Sequence, residues 1–406
     1  MPAIADRAHP STGGHALPAH LAGSSSTPRP VSAPRRRAPR RGVVIGVVGA
    51  LVIAGILGGL QTASHLGYDD ARAQFDAALE STENATAEVG LSTDELSAAA
   101  DTGSLLIESD SGVLSDAGAK EALTSSIALA EDATASAEED LDRPLPSAEK
   151  KPSFFWELYG ATEQLQKDLD ELDDLDSAMA TQAPRITAAT EELTEAGVAF
   201  VASAAASAPA FEAAHISARN DDVIALRDSA ATASGAMSLD DSAVSSFVAL
   251  QDAAAQVISG EKSELAEKAG PLQSTRLDIE AFARSLAPGV LLEFDWNPIV
   301  NGAGDNGSMG GLTTWWWDEP DRAIIELSNS VAEQWPGDRS RALVAHEVGH
   351  AISVKCEDSY DSSTADSIEK WATAWAISMG FTDDANGVWA YGYPPQSYID
   401  AAAGCR

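Results

Sequence analysis

The sequence predicts three kinds of segment in one chain: a transmembrane helix, an acidic all-α bundle or stalk, and a carboxyl-terminal α+β domain. Three observations carry this reading. Gly42 to Leu60 is an uncharged run of nineteen Gly, Val, Ile, Leu and Ala residues. Residues 62–270 repeat apolar side chains at helical spacing, with Gly and Pro sparse. Residues 271–406 hold eight of the nine Trp, both Cys and two His four positions apart. At 406 residues the chain is too long for one compact core, so two or three units are expected.

The basic leader comes first. Residues 1–41 carry seven Arg and one acid, Asp6, within a chain whose formal net charge is −36. Rich in Pro, Ser, Ala and Arg, this leader cannot bury enough apolar surface to build a core and is read as a disordered cytoplasmic tail. The uncharged run 42–60 rises roughly 30 Å as a helix, the hydrocarbon thickness of a bilayer. Arginines crowd its amino-terminal flank, while Asp69 and Asp70 are the first charges after it. The positive-inside rule then places the amino terminus in the cytoplasm and the bulk of the chain outside the cell membrane. A cleaved signal peptide is the competing reading; a 41-residue leader and the lack of a small-x-small site after the run weigh against it. The strongly acidic remainder excludes nucleic acid as a default partner, since phosphate binding needs clustered cations.

Residues 61–270 are expected to form long helices. Leu165, Leu169, Leu172, Leu175 and Met179 recur at three- and four-residue intervals, and Ala199 to Ala208 is rich in strong helix formers. Pro144, Pro146 and Pro152 divide the region near its middle. Narrow apolar seams fit a bundle or coiled stalk. Gly42/Gly46 and Gly55/Gly59 have GxxxG spacing that could pair two helices, so self-association through the helical part is a further expectation. The aromatic cluster Phe154, Phe155, Trp156 and Tyr159 reads as a core anchor or domain contact. No residue set for chemistry stands out here.

The last unit, 271–406, reads as helix, strands and helices. Thr275 to Leu286 predicts a short helix, and Val290 to Trp296 a strand. A Gly/Asn-rich turn spans Asn301 to Gly311, and Leu312 to Trp317 and Ala323 to Leu327 predict two more strands. Pro336-Gly337-Asp338 opens a helix with Asp338 as cap, and Ser363 caps another that runs to Met379 and stops at Gly380.

The first of these two helices contains His346-Glu347-Val348-Gly349-His350. Residues four apart share a helix face, so both imidazoles can reach one ion, and zinc suits neutral imidazole nitrogens. Glu347 can stand beside an open position and take a proton from water. A third ligand is expected from the next helix: Glu369 borders its apolar stripe of Ile368, Trp371, Ala372 and Trp375, and Asp366 is the alternative one turn earlier. Cys356 and Cys405 are the only cysteines, and outside the membrane two thiols in one unit predict one disulfide.

These residues resemble the gluzincin zinc metallopeptidases, in their small single-domain form. The resemblance covers about residues 271–406 and rests on the HExxH helix followed by Glu369 on a second helix, with eighteen residues between His350 and Glu369. It implies a zincin-like fold with one Zn2+ held by His346, His350 and Glu369, and Glu347 as general base and acid. It also implies that Ile324, Ile325, Glu326 and Leu327 form an edge strand that takes up an extended peptide. Two positions depart from the family. An acidic residue four positions after the glutamate ligand commonly orients the first histidine, and here Thr373 stands there. No further His exists beyond residue 350, which leaves Tyr391, Tyr393 or Tyr398 as candidates to stabilise an oxyanion. The resulting expectation is a membrane-anchored, outward-facing peptidase acting on a peptide or protein in the cell envelope. The rival is a catalytically weak or inactive zinc-binding domain that acts as a binding or scaffold module of the envelope.

Overall fold

The computed structural model describes the backbone from Arg41 to Arg406 and the side chains from Leu51 onward. The basic leader before Arg41 lies outside the described residues, and for residues 41–50 the backbone alone is described. The chain is mostly helical, with one small mixed sheet near its carboxyl end.

Helix α1 (Arg41–Glu108) runs without a break from the uncharged segment into the bundle. Residues 51–60 are all exposed, Leu51 at 68 % and Ile53 at 60 % among them. Helix α2 (Ala117–Leu141) packs back against α1, with Asp116 capping its first turn by accepting the Ala119 amide at 2.8 Å. An extended linker carrying Pro144, Pro146 and Pro152 leads to α3 (Phe155–Ala214), as the prolines predicted. Gln61 on α1 clamps that junction: its Nε2 donates to the Ser153 carbonyl at 2.7 Å, and the Phe155 amide donates to its Oε1 at 3.0 Å. Farther along, a side chain at Gly103 on α1 would touch Ile127 of α2 and Leu193 of α3. The pairings Gln61 with Phe155 and Gly103 with Leu193 advance together, so α1 and α3 run parallel. Helices α4 (Asn220–Ser234) and α5 (Asp241–Glu267) complete the bundle at the far end of α3.

The core seam of the bundle is alanine and leucine, with Phe200 and Phe247 at 5.1 Å in its upper part. Among the described residues α3 is the one helix whose length and composition would suit a membrane. Its apolar side chains Leu158, Leu172, Leu193 and Phe200 are nevertheless fully buried in the bundle. The expected aromatic core anchor is corrected here: Phe154, Trp156 and Tyr159 are 53 %, 59 % and 74 % exposed. Only Leu158, on the opposite face of the same turn, enters the core.

The C-terminal unit begins with α6 (Gln273–Leu286), followed by β1 (Leu291–Asn297), β2 (Gly311–Trp316) and β3 (Glu319–Ser328). Strand order is β1-β3-β2, with β1 parallel and β2 antiparallel to β3. This overturns the expectation that Ile324–Leu327 is an edge: β3 is central, and both its ladders are filled. Apolar side chains on both its faces (Ile324 on one, Ala323, Ile325 and Leu327 on the other) suit a strand with neighbours on either side. The open edge next to the later helices belongs to β2.

After the short α7 (Asn329–Glu333) comes α8 (Asp338–Ser353), which is capped by Gly337 rather than Asp338. Asp338 sits in the first turn, where a negative charge complements the helix dipole. Helix α9 (Ala365–Ser378) is capped by Thr364, not Ser363, with the Thr364 hydroxyl accepting the Ser367 amide at 3.3 Å. Trp371 and Trp375 of α9 are fully buried, and the Trp375 indole donates to the Cys405 carbonyl at 2.9 Å. Cys356 and Cys405 are paired as a disulfide that holds the chain end beside α8.

Bundle and C-terminal unit meet through buried polar groups. Lys268, at the end of α5, lies 3.4 Å from Glu264 and 3.3 Å from Glu280 of α6, and all three are at most 3 % exposed. The Trp296 indole donates to Glu280 at 3.1 Å. At the start of α4, the Asn220 amide donates to Glu293 at 2.8 Å, and its side chain donates to the Ala323 carbonyl at 3.0 Å. Buried charges persist only when paired, so these contacts fix the sheet against the bundle.

Candidate metal centre

Helix α8 is buried along almost its whole length, from Ala342 to Ser353. It therefore carries His346 and His350 inward rather than to solvent, each 5 % exposed. Helix α9 crosses close to it at Gly349. A side chain there would stand 2.8 Å from the Ala372 carbonyl, so the absence of a Cβ lets the two helices approach. That approach brings Glu369 to the histidines.

Three donor atoms converge. His346 Nε2 and Glu369 Oε2 are 3.1 Å apart, while His350 Nε2 is 3.2 Å from each of them. Donors about 2.0–2.1 Å from a tetrahedral ion would be separated by about 3.3–3.4 Å, close to this triangle. Protons alone satisfy the three atoms poorly, since a neutral imidazole carries one N–H and a carboxylate carries none. A cation in front of the triangle would satisfy all three lone pairs. Among the described residues this is the one group of three His, Cys, Asp or Glu side chains with donor atoms within 4.8 Å of one another. Asp366 is not part of it: its carboxylate pairs with Lys370 at 2.7 Å and is 71 % exposed.

The surroundings orient the donors. Thr373 donates its hydroxyl to the Glu369 carbonyl at 2.8 Å, leaving its oxygen to accept from His346 Nδ1 at 3.4 Å. A proton on Nδ1 leaves the Nε2 lone pair free for an ion, so this neutral hydroxyl can select the tautomer an acidic residue would otherwise select. The Trp315 ring lies parallel to His350 at 5.2 Å and Tyr391 parallel to His346 at 5.9 Å. Burial by itself would raise the Glu369 carboxyl. The hydrogen bonds and nearby charge of His346 and His350 outweigh it and hold the group below the ordinary carboxylate range.

Glu347 packs against β2 at Gly311 and Thr313. Burial pushes its carboxyl above the ordinary carboxylate range, although His346 and a Thr313 hydrogen bond at 2.7 Å pull the other way. Thr313 Oγ1 is also 3.0 Å from the Glu347 carbonyl, tying β2 to α8. A Cβ at Gly311 would run into the Glu347 side chain, 2.7 Å from its Cγ, so glycine is what lets the strand pass over the carboxylate.

A cleft of about 500 Å³ opens in front of these groups, lined by Gly310, Gly311, Leu343, His346, Glu347 and Tyr391 among others. The structure thus brings together His346, Glu347, His350, Glu369 and one of the three tyrosines. The Tyr391 phenol is pushed up to about 12 by burial first, then by the negative charges of Glu369 and Glu347. Tyr393 is 66 % exposed and does not line the cleft. Tyr398 is engaged elsewhere, its hydroxyl 2.7 Å from Ser367 Oγ and accepting the Asp361 amide at 3.4 Å. Sequence reasoning missed Thr313, Trp315 and Gly349. Gly349, the small residue inside the HExxH motif, was the one legible signal of close helix packing.

A second depression of about 570 Å³ lies on the bundle between α3 and α4, lined mainly by alanines, and offers no donor set. In comparison with known proteins, no family model, no curated protein and no solved structure matches this chain.

Proposed function

We propose that the chain is a membrane-anchored zinc peptidase of the gluzincin type, with a zincin-like C-terminal domain held outside the membrane on a helical stalk. The observation that carries this reading is the buried triangle of His346, His350 and Glu369, with Glu347 beside it at the cleft wall. One Zn2+ in that donor set would supply Lewis-acid polarisation of a peptide carbonyl. Glu347 then takes a proton from the attacking water at its carboxylate and returns it to the leaving amine nitrogen. Its carboxyl, already raised by burial, is suited to hold a proton between those two events. Tyr391 stands at the same cleft as the hydrogen-bond donor for the developing oxyanion.

Strand β2 is the natural seat for an extended peptide. The Ser328 amide donates to the Gly310 carbonyl at 2.9 Å. By the alternation of an antiparallel ladder, the amides and carbonyls of Gly311, Thr313 and Trp315 then face the open edge. A substrate strand added there passes over Glu347 and the triangle. The exposed apolar side chains of residues 51–60 support the membrane anchor, since a water-facing helix surface seldom leaves Leu51, Ile53 and Ile56 without a partner. Helix α3, with 60 residues, is about 90 Å long, so the stalk would carry the site well clear of the bilayer.

Thr373, where the family commonly has an acid, favours one rival: a zinc-binding module that does not cleave. Glu347→Gln separates the two. The peptidase reading expects cleavage of a peptide library to fall about 100- to 10,000-fold with zinc retained. Stoichiometric zinc with no Glu347-dependent cleavage would establish the module instead.

A further inference from the structure

The exposed aromatic cluster at the start of α3 has no role in the bundle core or the metal centre, and its place along α1 gives it one. Leu60 ends the uncharged run, and Gln61 is the first polar residue after it. Gln61 is also the residue that clamps the Ser153 carbonyl and the Phe155 amide. The first turn of α3 therefore stands level with the end of the run. A leaflet's headgroup layer is about 5–8 Å thick, or about three to five residues of helix. Residues at the level of Gln61 to His65 fall inside that layer if 42–60 spans the hydrocarbon.

Phe154, Trp156 and Tyr159 occupy that level and are more than half exposed. The Phe154 and Trp156 rings are stacked at 4.8 Å and 4°. Phe155 meets Trp156 edge-on at 5.0 Å, so the rings form one patch rather than scattered side chains. Beside them in the linker stand Lys150 and Lys151, both exposed, with Lys151 shared between Asp69 and the face of Tyr68. Glu157 is the acid of the same turn. Apolar rings with polar tips and neighbouring lysines are the composition favoured where hydrocarbon gives way to headgroups. Residues 51–60, which directly precede Gln61 on α1, are likewise apolar and exposed.

We infer that Phe154, Trp156 and Tyr159 form an interfacial collar that sits in the headgroup layer of the outer leaflet. The collar adds a second membrane contact, from α3, to the single span of α1. Two contacts on different helices restrain the tilt and rotation of the stalk, which one helix through a bilayer would leave free. The occupant of the patch is thus lipid, and the inference rests on the reading of 42–60 as a membrane span.

The test uses the full chain in vesicles of phosphatidylcholine and phosphatidylglycerol. Both native cysteines are in the disulfide, so one introduced cysteine is the one free thiol for a nitroxide label. Glu157→Cys, an exposed site that leaves the three rings in place, reports the depth of the collar by its relative accessibility to oxygen and to a water-soluble nickel complex. Ile56→Cys reports the span, and Leu91→Cys, 68 % exposed and about 45 Å beyond Gln61 along α1, reports bulk water. The inference expects the label at 157 to be shifted toward oxygen relative to 91 but less than at 56. Replacing Phe154, Trp156 and Tyr159 with Ser should move it toward the value at 91. If 56 reports hydrocarbon while 157 matches 91, the collar is wrong and the span stands. If 157 is shielded from both reagents, a protein partner or second copy covers the patch, and the collar is likewise overturned. If 56 itself reports water, the membrane reading fails and takes the collar with it.

Discussion

The bundle and the C-terminal domain bury their interiors with different materials. In the bundle, alanine and leucine line narrow seams, and few acidic side chains, Asp168 and Glu264 among them, are buried. In the C-terminal domain two tryptophans are fully buried together with His346, Glu347, His350 and Thr373. An apolar seam needs only spacing to be satisfied, and it leaves nothing over for chemistry. Buried polar groups need partners, and each partner constrains the next: Thr373 to His346, His346 to Glu369, Thr313 to Glu347. The difference teaches where to look for a site in such a chain: where burial cannot be explained by the hydrophobic effect alone.

The junction between the two regions offers the largest expected break. Lys268→Met would leave Glu264 and Glu280 buried with one countercharge fewer. The expected loss is about 3 kcal/mol, at the low end for a broken buried pair because Arg219 and Arg284 remain close. Denaturant unfolding followed by tryptophan fluorescence would measure it, since eight Trp report the C-terminal unit and one the bundle. An unchanged midpoint would mean that the two regions are not coupled through this network.

Removing the disulfide should act on one side of the comparison. The bridge joins positions 49 apart, and closing such a loop contributes roughly 2–4 kcal/mol, chiefly by restricting the unfolded chain. Cys356→Ser with Cys405→Ser should lower the C-terminal transition and leave far-ultraviolet helical unfolding of the bundle in place. A shift of both transitions together would show that the regions unfold as one.

A smaller and more local change sharpens the metal side. Thr373→Val keeps the volume but removes the hydroxyl that serves both Glu369 and His346. Zinc affinity, read by competition with a chelator, should fall about 10- to 100-fold without loss of fold. Equal affinity in both proteins would show that the hydroxyl does not orient His346.

Much of this arrangement was legible beforehand, and the reasons are local. Helical seams such as Leu165 to Met179 declare themselves by spacing, and the motif from His346 to His350 places two rings on one face by helix geometry. Glu369 was readable from its position beside an apolar stripe. Strand order was not, because it depends on which strands meet in space. Ala323-Ile-Ile-Glu-Leu327 carried a hint in its apolar residues on both faces, the pattern of a central strand. Thr313 and Trp315 could not be assigned, since their contacts with Glu347 and His350 exist only once β2 lies over α8. The aromatic cluster was misread because aromatic residues are usually core, and only the clamp at Gln61 shows which level of the molecule they occupy.

The central claim is that the polar cluster buried in the C-terminal domain is a zinc site built from His346, His350 and Glu369. Metal analysis of the purified full chain and its variants tests it most directly. The account predicts one zinc per chain, retained in Asp366→Ala, whose carboxylate is already paired with Lys370, and lost in His346→Ala, His350→Ala and Glu369→Ala. Stoichiometric zinc in Glu369→Ala, or its loss in Asp366→Ala, would contradict the assignment.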